Sequence, residues 1–169
     1  MLFSNHGHLK VEGYTNVDWA GPADDRRSTV GYFTFVRGNL ITWRSRKQQV
    51  VARSSAEAEF REMAVGTCEL LWIRSLLKDI GYEQKDAMKL YCGNKLAIEI
   101  ANNLIQHDRT KHVKIDKHFI KEKIEYGIIV FPFVKSKQQL ANMLTKAVAS
   151  KALNNSLDKL GMYDIHAPT

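Results

Sequence analysis

Polar and apolar positions alternate through residues 10–15, and residues 31–36, GYFTFV, are rich in β-branched and aromatic side chains. Both stretches predict strands. Gly38-Asn39 predicts a hairpin turn into a third strand over residues 40–43, and GPADD at residues 21–25 reads as a loop. The first part of the chain is therefore expected to form an antiparallel three-strand meander. The period then changes. Ser54, followed three residues later by Glu57, has the form of a helix capping box. A long helix is expected from there to Ile80, with Trp72, Ile73, Leu76, Leu77 and Ile80 as its apolar stripe and Gly81 as its stop. A short strand over residues 88–92 and a helix over 94–102 follow. Next come a helix over 113–126 ended by Gly127, and an apolar strand over 128–134 interrupted by Pro132. A last helix is expected from Gln138 to about Leu160, with Gly161 after it. The order β-β-β-α-β-α-α-β-α predicts an α/β (α+β mixed) chain: one mixed sheet flanked by helices.

A length of 169 residues suits one domain, 1–169, and the chain shows no repeat, low-complexity tract or internal linker. No apolar run approaches bilayer length, and the N-terminus lacks the apolar core of a signal peptide. The expectation is an intracellular protein of cytoplasm or nucleus, not secreted and with no membrane partner. Cys68 and Cys92 lack a metal-type spacing and read as small buried hydrophobes in a reducing compartment. A net charge of +7 fits a polyanionic partner, of which nucleic acid is the usual one, but composition alone does not decide it.

Four motifs narrow the reading: GYTNVDWAG from Gly13, SSAEAEF from Ser54, LYCGNKLAI from Leu90 and QLANMLTK from Gln139. In order and spacing they resemble the ribonuclease H domain of copia-type (Pseudoviridae) retrotransposon polyproteins. There the motifs read roughly YTDADWAG, SSxEAEY, LxCDNxxA and QxADxLTK. DDRRSTVGY from Asp24, NLITWRSRKQ from Asn39 and HDRTKHVKIDKHFIKEK from His107 extend the resemblance over nearly the whole chain. It implies a ribonuclease H-like fold with a five-stranded mixed sheet, and ancestral cleavage of the RNA strand of RNA–DNA hybrids.

The family's chemistry is two-metal hydrolysis with Mg²⁺ or Mn²⁺, and such ions need several hard oxygen ligands close together. The resemblance puts the four family carboxylates on Asn16, Glu59, Gly93 and Asn142, so only Glu59 is retained. Asparagine keeps one ligand oxygen without the charge, and glycine keeps no side-chain ligand. A metal pair is accordingly not expected here, and the domain is expected to be inactive or crippled. Two alternatives stand beside this: a weakly active nuclease using Asp18 and Glu59, and a domesticated module that binds nucleic acid or a protein partner. Asp18 shares a strand face with Asn16 but is displaced by about 6.5–7 Å along it. Glu57 lies about 200° from Glu59 around a helix and is read as the capping-box partner.

The expected nucleic-acid contacts, to an RNA–DNA hybrid or another duplex, are Arg44, Lys47, Arg53, Ser54, Ser55 and Asn94. A helix N-terminus at Ser54-Ser55 offers free N–H groups to a phosphate. His107, His112, Asp116 and His118 do not converge cleanly on one helix face and are read as packing residues. Lys114, Lys117 and Lys121 share a helix face that is read first as solvated. Trp19 and Trp43 are read as packing residues rather than base platforms.

Overall fold

The computed structural model describes residues 9–19, 26–49, 51–102 and 111–162, without the side chains of 111–114. Its centre is a five-stranded sheet in the order β3-β2-β1-β4-β5. The strands are β1 (Val11–Asp18), β2 (Thr29–Val36), β3 (Asn39–Lys47), β4 (Met88–Cys92) and β5 (Ile129–Val130). β1, β2 and β3 pair antiparallel, and β1, β4 and β5 pair parallel, so the sheet is mixed as expected. The hairpin turn falls one residue earlier than predicted. Arg37 and Gly38 have φ of 57° and 75°, while Asn39 already pairs with Val36. A two-residue turn of this hand needs positive φ at both central positions, and Gly38 takes the second.

One face of the sheet carries α1 (Ser55–Asp79), α2 (Lys95–Asn102) and α3 (Lys111–Glu125). The cap of α1 is as predicted: Ser54 Oγ accepts from the Glu57 N–H at 3.1 Å. The Glu57 carboxylate reaches back to the N–H of Arg53 at 2.9 Å, one residue before the usual partner, and also holds Arg61 at 2.7 Å. The predicted stripe of α1 is only partly correct. Ile73 is buried and Leu77 packs on the core, but Trp72, Leu76 and Ile80 are exposed. The helix instead buries Ala56, Phe60, Met63, Thr67 and Leu70. Gly66 decides the rotation: a Cβ there would stand 2.9 Å from Leu90, so this side of the helix lies directly on β4.

The opposite face buries Phe33, Phe35 and Leu40 beneath Leu140, Ala141 and Leu160. The single long helix expected there is broken into a 3-10 turn (Ser136–Gln138), α4 (Asn142–Thr145) and α5 (Ser150–Lys159). Lys146 and Ala149 are extended, and side chains tie the segment to the sheet. Gln139 donates to the Thr15 carbonyl at 2.9 Å, and Ser45 Oγ donates to the Leu144 carbonyl at 2.6 Å. α4 rests on Gly31, where a Cβ would come within 2.6 Å of Leu144 Cβ. These anchors outweigh the chain's preference for a continuous helix.

The last predicted strand is shorter than expected. β5 stops before Pro132, which has no N–H to give, and pairing resumes only as a bridge between Cys92 and Phe133. Cys92 is buried as expected, whereas Cys68 is exposed, in the cleft between α1 and α3. No described helix is long and apolar enough to cross a membrane.

Candidate active site

The parallel pairing of β1 with β4 builds the centre of the site. Thr15 pairs with Cys92, so the next residues, Asn16 and Gly93, meet at the C-terminal ends of the two strands. An ideal Cβ on Gly93 would lie 3.9 Å from Asn16 Oδ1, 3.9 Å from Gln139 Nε2 and 4.0 Å from the Val134 carbonyl. These are ordinary contacts, and Gly93 is exposed, so a side chain would fit there without displacing its neighbours.

Glu59 comes to the same place from the second turn of α1. Its Oε2 lies 3.7 Å from Cys92 Sγ, and it accepts from the Val17 N–H. Burial raises its carboxyl to about 7, against the smaller opposing effects of the Cys92 and Val17 hydrogen bonds. Burial and the neighbouring Glu59 push the Cys92 thiol up to about 12, so Cys92 remains a donor to Glu59.

Asn16 is buried, and its Nδ2 donates to Thr145 Oγ1 at 2.6 Å. Thr145 Oγ1 in turn donates to the Asn142 carbonyl at 3.3 Å. The Asn142 side chain turns the other way, to the Ser136 carbonyl at 2.8 Å and Ser136 Oγ at 3.5 Å. The fold thus brings Asn16, Glu59 and Gly93 together. It delivers Asn142 at the start of α4, linked through its backbone and Thr145 rather than through its own amide.

This set of residues does not fit a metal pair. Of the four positions only Glu59 offers a carboxylate, and burial raises it to about 7. Asn16 offers one uncharged oxygen, Gly93 none, and Asn142 faces elsewhere. Asp18 lies two residues beyond Asn16 on the same strand and is partly exposed. Among the described residues, no three His, Cys, Asp or Glu side chains are placed to share a metal ion. His107 and the side chain of His112 lie outside the described residues.

The expected nucleic-acid residues lie on three elements. Arg44 and Lys47 are exposed on β3, the sheet's edge strand, and Arg53, Ser54 and Ser55 are exposed at the start of α1. Asn94 caps α2, its Oδ1 accepting from the Ala97 N–H at 3.1 Å. On α3, Lys121 and Lys123 are paired with Glu125 and Glu122, as a solvated helix face would be. Trp19 donates to the Ala52 carbonyl at 3.2 Å, and Trp43 is half exposed on β3.

Sequence reasoning missed several residues of this region. Thr145 and Gln139 lie within the QLANMLTK motif but have no signal apart from their fold. Glu62, one turn after Glu59, is a second buried carboxyl beside a cleft of about 440 Å³ also lined by Arg46, Gln48 and Arg61. Burial and Glu59 raise it to about 8, against the opposing pull of Arg46 and Arg44. Its three-residue spacing from Glu59 on a predicted helix was the signal available.

Sheet order, flanking helices and the site at the ends of β1 and β4 define a ribonuclease H-like fold. The N-terminal RNase H domain of a Mycobacterium tuberculosis protein superposes with TM-score 0.57 and 11% identity, over 89% of this chain and 98% of that one. LC11-RNase H1, solved with an RNA/DNA hybrid, superposes with TM-score 0.56 and 16% identity, over 85% of this chain and 99% of that one. No family model matches the chain. Among curated proteins, the retrovirus-related Pol polyprotein of transposon RE2 from Arabidopsis thaliana is 38% identical over 165 residues, 97% of this chain. That of transposon RE1 from the same plant is 38% identical over 162 residues, 95% of this chain. The chain spans 11% of the length of each. It is homologous to the Pol polyproteins of copia-type plant retrotransposons and carries a ribonuclease H-like fold.

Proposed function

We propose that this domain binds an RNA–DNA hybrid, or a closely similar duplex, and does not hydrolyse it. The observation that carries the reading is the state of Asn16: its amide is buried and held by Thr145, beside a Gly93 with no side chain. With one carboxylate where the family has four, the site lacks the concentrated negative charge that two close divalent ions require. Mg²⁺ or Mn²⁺ belongs to the family's chemistry, and no step here is assigned to it. The exposure of Arg44, Lys47, Arg53 and the α1 N-terminus supports the binding half of the reading, since cations and helix N–H groups suit a phosphate backbone.

The test is incubation with a labelled hybrid in Mg²⁺ and then in Mn²⁺, beside a mobility-shift titration at rising salt. Salt-sensitive retention of an uncut hybrid is expected. Specific cleavage of the RNA strand above a Glu59→Ala control would overturn the inactive half. A hybrid that is not shifted at low salt would overturn the binding half. The triple variant Asn16→Asp, Gly93→Asp, Asn142→Asp restores every family carboxylate, and cleavage is expected to return, because Gly93 has room and the backbone frame is in place.

A further inference from the structure

The cleft of about 440 Å³ beside Glu62 opens between the end of β3 and the N-terminal halves of α1 and α3. That volume is ordinary for a small-molecule site. None of Asn16, Glu59, Gly93 and Asn142 lines it. Val65 of α1 and Ile115 and Phe119 of α3 give it an apolar wall, and Arg46, Gln48, Arg61 and Glu62 supply its polar groups. Those polar groups are incompletely bonded. Among the described residues six buried side-chain nitrogens or oxygens lack a hydrogen-bond partner, and Arg46 Nε, Gln48 Oε1 and Arg61 Nη1 are three of them. Buried polar atoms are normally paired, so a concentration of exceptions around one cleft calls for a cause.

The geometry fixes these groups in place without satisfying them. Gln48 is buried, and its Nε2 donates to the Ala58 carbonyl at 3.0 Å while its Oε1 stays unbonded. Arg61 gives Nη2 to Glu57 at 2.7 Å, which leaves Nη1 over. Burial raises Glu62 to about 8 against the pull of Arg46 and Arg44, so it is a weak counter-ion for them near neutral pH. Two guanidinium groups with spare N–H donors select an oxyanion, and their planar fork suits a carboxylate. Glu62 and Asp116 also line the cleft and would repel a second negative charge. The apolar wall asks for an apolar body behind the charged head. A phosphate backbone has neither the single charge nor that body.

We propose that this cleft binds a small organic monocarboxylate, its head on Arg46 and Arg61 and its apolar body against Val65, Ile115 and Phe119. The site is separate from the candidate active site and does not rest on the hybrid-binding reading.

The probe is naphthoate, titrated into the full chain while the reaction of Cys68 with dithionitrobenzoate is followed. Cys68 lines the cleft and is exposed, whereas Cys92 is buried, so one thiol reports. Saturable binding is expected, slowing that reaction about fivefold or more as access to the thiol is lost. Naphthalene-methanol, the same ring without the charge, should bind about tenfold more weakly, and Arg46→Met should cost naphthoate a similar factor. Should Arg46→Met fail to fold, Ile115→Glu carries the test, because that position is 68% exposed and the new charge would stand beside the ligand. Absence of saturable binding, equal affinity for the alcohol, or no loss in the variant that folds overturns the proposal. Tighter binding of naphthyl phosphate than of naphthoate overturns the choice of a monocarboxylate. Release of naphthoate by an RNA–DNA hybrid at low salt overturns it as a separate site, because the cleft would then be part of the hybrid surface.

Discussion

Replacing Glu59 by glutamine should stabilise the protein at pH 8 and change it little at pH 5. The sign follows from the raised carboxyl. Its folded-state pKa is about 7 against an ordinary value of 4.5, chiefly because burial disfavours the charge. Between those values the folded chain binds a proton that the unfolded chain has released, so the stability contributed by this group falls as pH rises through the window. Each unit of pKa shift corresponds to about 1.4 kcal/mol. The full window amounts to about 3 kcal/mol, of which about 2–3 kcal/mol is lost between pH 5 and pH 8. Glutamine does not titrate and keeps an oxygen for the Cys92 and Val17 donors, so the variant should escape the loss. The assay is urea unfolding of both proteins at a series of pH values. With a urea dependence of roughly 2 kcal/mol per molar, the variant's midpoint should gain about 1 M on the parent between pH 5 and pH 8. Glu62 is present in both proteins, so most of its own effect, of the same sign, cancels in the comparison. A difference independent of pH would refute the reasoning. So would a parent midpoint at pH 8 that rises on adding Mg²⁺ while the variant's does not, because a bound metal would hold Glu59 ionised and stabilise the fold.

Thr145→Val should cost about 1–3 kcal/mol in urea unfolding, because it strands the buried Asn16 amide. The same change combined with Asn16→Leu should cost less than the sum of the two single changes. Gly31→Ala should destabilise by about 1–3 kcal/mol through overpacking, since the new methyl meets Leu144 Cβ. It should also loosen α4, seen as faster amide exchange over Asn142–Thr145. Ser54→Ala removes the acceptor for the Glu57 N–H, and thermal unfolding should report a loss of about 1 kcal/mol.

Local chemistry was legible in the chain wherever one residue type forces one geometry. Serine and glutamate three apart capped α1, Gly81, Gly127 and Gly161 took the positive φ that ends helices, and β4 fell on Met88–Cys92. The motif frame located Asn16, Glu59 and Gly93, which the parallel register of β1 and β4 and the start of α1 then brought together. Periodicity misjudged α1 because its last turns are apolar on two sides, and only contact with Leu90 at Gly66 selects the buried one. It misjudged the C-terminal helix because hydrogen bonds from Gln139 and Ser45, made across more than ninety residues, override local preference.

The sequence by itself determined which atoms are available: one carboxylate where the family has four, and a basic surface around it. Only the tertiary structure decided how those atoms are used. It buried Glu59 and so raised its carboxyl, committed the Asn16 amide to Thr145, turned Asn142 toward Ser136 and left Gly93 open. The reason is physical. Ligand identity is a property of single residues, whereas charge state and orientation depend on what distant segments place within a few ångströms.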